Sequence, residues 1–81
     1  MNFNIDTREG MSNAVKWQQR LVDSVKDGGS WAVPRSGSLY TLDKVNKVAT
    51  RSAFFYIDHQ IDRVFAAMGW TVKTAGKGGE G

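Results

Sequence analysis

Between positions 54 and 68 large apolar residues recur at helical spacing. Phe54, Ile57, Ile61, Val64, Phe65 and Met68 follow the i, i+3, i+4, i+7 rule, which gathers them on one side of an α-helix. Ser52 is placed to cap its start and Gly69 to stop its end. A second helix is predicted from Met11 or Asn13 to Asp27, with Met11, Ala14, Trp17, Leu21, Val22 and Val25 on one broad face. Ser12 is its expected N-cap and Gly28-Gly29 its expected stop. Gln18 falls in the middle of that face. A buried amide must be paired, so Gln18 is expected at the rim of a shallow core with its amide reaching water.

Between the helices the period changes to two. Trp31-Ala32-Val33 is β-like, and Pro34 ends it or places it at a sheet edge, because proline cannot donate to the ladder. Arg35-Ser36-Gly37-Ser38 is a turn signal. Ser38 to Leu42 and Val48 to Arg51 read as two strands, joined by a hairpin loop over Asp43-Lys44-Val45-Asn46-Lys47 with Asn46 its most turn-prone member. After the second helix Trp70, Val72 and Thr74 alternate and predict one more strand. At the start, Phe3 and Ile5 alternate with Asn2, Asn4 and Asp6, which reads as a short strand or arm that Gly10 interrupts. The predicted order is (β)-α-β-β-β-α-β. That is a small two-layer α+β domain, with two amphipathic helices packed on a short antiparallel sheet. Residues 1–74 are expected to form this single compact domain. Residues 75–81, which hold four of the nine glycines, are expected to be a flexible tail.

Length and composition narrow the possible chemistry. A chain of 81 residues has room for one core, and a core of that size rarely supplies more than about 3–5 kcal/mol. No apolar run reaches the ~18 residues that would span a bilayer. There is no cysteine, hence no disulfide framework and no thiolate metal site, and the single histidine, His59, cannot build a His-rich metal centre. No metal and no cofactor is expected. Stability must then lean on the aromatic residues Phe3, Trp17, Trp31, Tyr40, Phe54, Phe55, Tyr56, Phe65 and Trp70, each able to bury ~150–250 Å².

Candidate catalytic groups do not converge. Asp58 and His59 are adjacent and lie about 100° apart on a helix, while His59 and Asp62 could touch as a local surface pair. The serines near Gly37 lack a nucleophile elbow, and the glycines match neither a phosphate loop nor a dinucleotide fingerprint. The expectation is that the protein is not an enzyme.

Charge is unevenly placed. Residues 1–30 and 52–81 are each balanced, and the whole net +3 comes from Arg35, Lys44, Lys47 and Arg51 against Asp43. A basic β-ribbon is one way to meet a phosphate backbone, although lysines on exposed strands also guard sheet edges. In outline the order α-β-β-β-α resembles the double-stranded-RNA-binding domain. That family begins its second helix with lysines, whereas this chain has Ser52-Ala53-Phe54-Phe55-Tyr56-Ile57, so the residues do not place the chain in it. With Ile61 at the centre of the buried face, Tyr56, His59 and Arg63 share the opposite side of helix two, and Phe55 lies on its flank. Tyr and Arg are enriched at interface hot spots.

These patterns predict a small non-enzymatic binding protein. It would be a regulator or inhibitor of the phage or mobile-element kind, working in the host cytoplasm. The expected partner is a host protein, held by Phe55, Tyr56, His59 and Arg63. Two alternatives are a nucleic-acid-binding regulator using Arg35, Lys44, Lys47 and Arg51 of the basic hairpin 31–51, and a self-associating structural subunit forming a homo-oligomer.

Overall fold

The computed structural model describes residues 3–33, 37–52 and 59–75. Its elements are α1 (Arg8–Ser24), β1 (Ser30–Ala32), β2 (Leu39–Asp43), β3 (Val48–Ser52), α2 (His59–Ala67) and β4 (Thr71–Thr74). The four strands form one sheet in the order β1-β2-β3-β4. This is the predicted α+β arrangement, two helices packed with a small sheet, but the sheet is mixed rather than antiparallel. β1–β2 and β2–β3 are antiparallel, while β4 runs parallel to β3. The physical reason is the connection: α2 lies between β3 and β4, and a crossover helix returns the chain to the end at which the first strand began.

The N-terminal segment is a turn and not a strand. Asn4 Oδ1 accepts from the Asp6 N–H (3.1 Å), and Asn4 O accepts from the N–H and hydroxyl of Thr7 (3.1 and 2.9 Å). Thr7, not Ser12, is the N-cap of α1; its hydroxyl accepts from the Gly10 N–H at 3.0 Å. Gly10 therefore sits inside the helix. A Cβ there would lie 1.8 Å from Asn4 O, so glycine is required by the close approach of the folded-back arm. The other end of α1 also falls earlier than predicted, at Ser24. Beyond it the backbone is drawn to the sheet, with Gly28 N–H donating to Leu42 O and Leu42 N–H to Gly29 O.

The buried stripe of α1 is Gly10, Ala14, Gln18 and Val22. Gln18 is thus fully buried, contrary to the rim position expected from sequence, and its Nε2 donates to Ile61 O at 3.2 Å. α2 presents Ile61, Val64 and Phe65 inward, as predicted, while Leu21 and Val25 are only partly buried against the core. Phe54 and Ile57, expected in the same core, lie outside the described residues, as do Ala53, Asp58 and the tail beyond Ala75. Ser52 ends β3, and the expected start of the helix next to it lies outside the described residues. Phe65 is the hub of the aromatic packing: its ring centroid lies 5.3 Å from Tyr40, 5.4 Å from Trp70 and 6.1 Å from Trp31.

The end of α2 is well specified. Gly69 takes φ 87°, its N–H donates to Ala66 O, and Trp70 N–H donates to Phe65 O. This Schellman pattern closes the last carbonyls, and the Phe65–Trp70 contact completes it.

Truncating the hub should expose how little reserve the domain has. Phe65→Ala is expected to cost about 3–5 kcal/mol, comparable to the stability of a core this small. Urea denaturation followed by tryptophan fluorescence checks this; an unchanged midpoint would contradict the packing.

Candidate functional site

The outward side of α2 follows directly from its inward side. With Ile61, Val64 and Phe65 buried, His59, Gln60, Arg63, Ala66 and Ala67 are exposed. His59 and Arg63 are four residues apart and share one face, as the sequence predicted. Arg63 Nη2 donates to Asp6 Oδ1 at 3.2 Å, with the two side chains 54% and 79% exposed; a pair so open to water holds little energy. The contact joins the N-terminal turn to the outer face of α2. Phe55 and Tyr56, the other two predicted members, lie outside the described residues.

The basic hairpin is less basic at its surface than its composition. The turn over 44–47 is shaped by Asp43, whose carboxylate accepts from the Asn46 side-chain amide (2.9 Å) and backbone N–H (3.0 Å). These two bonds, the side-chain one foremost, hold the Asp43 carboxyl below its ordinary pKa. Lys47 follows in the left-handed conformation at φ 56° and is exposed, and Lys44 is half-buried. Arg35 lies outside the described residues. Arg51 does not join the lysines: it is 7% exposed and points into the core. Strand alternation explains this. Ala49 faces the core, so Arg51, two residues on, shares its side.

Inside, Arg51 meets the carboxylate of Asp62. Its Nη1 donates to Asp62 Oδ2, and its Nη2 donates to Thr74 Oγ1 at 2.9 Å. Tyr40, directly opposite Arg51 in the β2–β3 register, donates its hydroxyl to Asp62 Oδ1 at 2.6 Å. The cluster therefore spans β2, β3, β4 and α2. Burial is the largest influence on the Tyr40 phenol and pushes its pKa up; the hydrogen bond to Asp62 and the carboxylate charge push it further. The phenol is thus a donor at neutral pH and no base, and both Asp62 oxygens are occupied. Chemically the group is a tie that neutralises its own charges. Two buried atoms, Arg51 Nε within it and Gln18 Oε1 on α1, have no hydrogen-bond partner among the described residues. Sequence reasoning treated Arg51 and Asp62 as surface residues. The signal that could have paired them is parity, since Tyr40 and Arg51 fall on the core-facing phase of their strands.

Among the described residues no three His, Asp or Glu side chains are grouped to hold a metal ion, and no helix is long and apolar enough to cross a membrane. Compared with known proteins, the chain matches no family model, no curated protein and no solved structure at a significant level.

The Tyr40 phenol gives a pH signature. Its folded pKa is raised above the unfolded value near 10, so its contribution is fully present below about pH 10 and is lost as pH rises beyond it. The parent should therefore lose stability on going from about pH 9 to 11. Tyr40→Phe should be weaker at pH 7 by about 1.5–3 kcal/mol, the value of a hydrogen bond to a charged group, and its decline above pH 10 should be shallower. Denaturation midpoints across this range check both statements; parallel profiles would contradict the buried phenol.

Proposed function

We propose that the chain is a small non-enzymatic binding protein, a regulator or inhibitor of the phage or mobile-element kind, that engages a host protein in the host cytoplasm through the outer face of α2. The observation that carries this reading is the placement of His59 and Arg63. Both stand on the exposed side of a helix whose opposite side is fully committed to the core. Among the described residues Arg63 makes an ion pair with Asp6 that is open to water. Arginine offers five donors in a planar fork, so a partner carboxylate or carbonyl can displace Asp6 with little loss.

The internal polar groups support the same reading. Asp62, Arg51 and Tyr40 are engaged with one another, so they hold shape, and recognition falls to the surface groups. A rigid helix on a sheet is a good platform for this, because its side chains need little ordering when a partner arrives.

The test is capture from nuclease-treated host lysate by the immobilised chain, with His59→Ala and Arg63→Ala compared with the parent. A protein partner should be retained by the parent and bound about 1–2 kcal/mol more weakly by each variant, as hot-spot truncations are. Monomer stability should change by no more than ~0.5 kcal/mol. Equal retention of the same partner by parent and both variants would remove the α2 face from the interface.

A further inference from the structure

β4 is the last strand of the sheet, with β3 on one side. Thr71 N–H donates to Lys47 O at 2.9 Å and Ala75 N–H to Arg51 O at 2.7 Å. In a parallel ladder the residues alternate, so 71, 73 and 75 spend their backbone groups on β3. Val72 and Thr74 then turn their N–H and C=O groups to the other side, where they have no partner among the described residues. The strand Thr71-Val72-Lys73-Thr74 is largely exposed. Three of its four residues are β-branched, the types that favour extended backbone. An edge of this kind is a template for one more strand.

The charge around the edge selects the occupant. Lys73 projects from β4 beside Thr50, on the sheet face away from the helices, and Lys47 stands exposed at the start of the strand. Neither β3 nor β4 carries a carboxylate, and the nearby Arg51 is already neutralised by Asp62. A second copy of this chain would bring the same two lysines, on a molecule of net charge +3, against them. An acidic strand would place its carboxylates across from Lys73, where opposite charges stabilise a pair.

We propose that the free edge of β4 binds an extended, acidic segment of a partner protein as a fifth strand, with Val72 and Thr74 supplying the backbone hydrogen bonds and Lys73 and Lys47 the charge selection. This site is separate from the outer face of α2 and stands on backbone geometry, so either can fail without the other.

A blocked peptide of about eight residues alternating Glu and Val, a strand's length, is the probe, with the Lys and Val counterpart as control. Hydrogen exchange of the intact chain is followed by NMR at the Val72 and Thr74 amides. The acidic peptide should slow both by about tenfold or more at saturation, and the basic one should not. Lys73→Glu and Lys47→Glu are both surface changes that leave the fold in place, and together they should weaken acidic-peptide binding at least about tenfold. The proposal is overturned if the acidic peptide leaves these two amides exchanging freely, or if the basic peptide protects them equally. Protection that grows with protein concentration and without peptide would overturn it in favour of a second copy.

Discussion

One carboxylate fixes how this small fold goes together. Asp62 leaves the polar side of α2, accepts from Tyr40 on β2 and Arg51 on β3, and through Arg51 reaches Thr74 on β4. A charge taken out of water costs several kcal/mol unless it is paired and hydrogen-bonded. Turning α2 about its axis by one residue would carry Asp62 away from Arg51 and leave the buried guanidinium without its partner. The pair therefore acts as a register key between helix and sheet. It also accounts for the packing beside it: with Asp62 on the sheet, Phe65 falls between Trp31, Tyr40 and Trp70, and His59 and Arg63 are left facing water.

The same constraint separates what was legible in the sequence from what was not. Both helices, the three-stranded antiparallel run and the final strand follow from local periodicity, and periodicity is a property of neighbouring residues. Strand direction is not. The alternation of Trp70, Val72 and Thr74 says which side chains share a face but is silent on whether β4 runs with β3 or against it. Gly10 reads as a break by propensity, yet it belongs to the helix because Asn4 O occupies the space of a Cβ. Thr7 takes the capping role from Ser12 for the same reason, since the folded-back arm decides where the helix begins.

The site was half legible. Helical spacing alone put His59 and Arg63 on one outward face, and the fold keeps them there. Arg51 was misplaced because charge suggests surface, while its strand phase, shared with Ala49, points inward. Gln18 was misjudged in the same way: it is fully buried, and its amide finds Ile61 O in place of water. Both errors concern polar groups whose partners lie far away in sequence. The result is a domain whose interior polar chemistry is used to hold shape.

A double-mutant cycle on Arg51→Met and Asp62→Leu tests the register key most directly. Asp62→Leu leaves the buried Arg51 charge without its partner and should cost about 3–5 kcal/mol. Arg51→Met leaves the partly exposed Asp62 with Tyr40 and should cost less, and replacing both removes the orphaned Arg51 charge. By urea denaturation, the double variant should be folded and more stable than the Asp62→Leu variant. A double variant no more stable than the weaker single one would show that Arg51 and Asp62 act independently, and that something else sets helix two on the sheet.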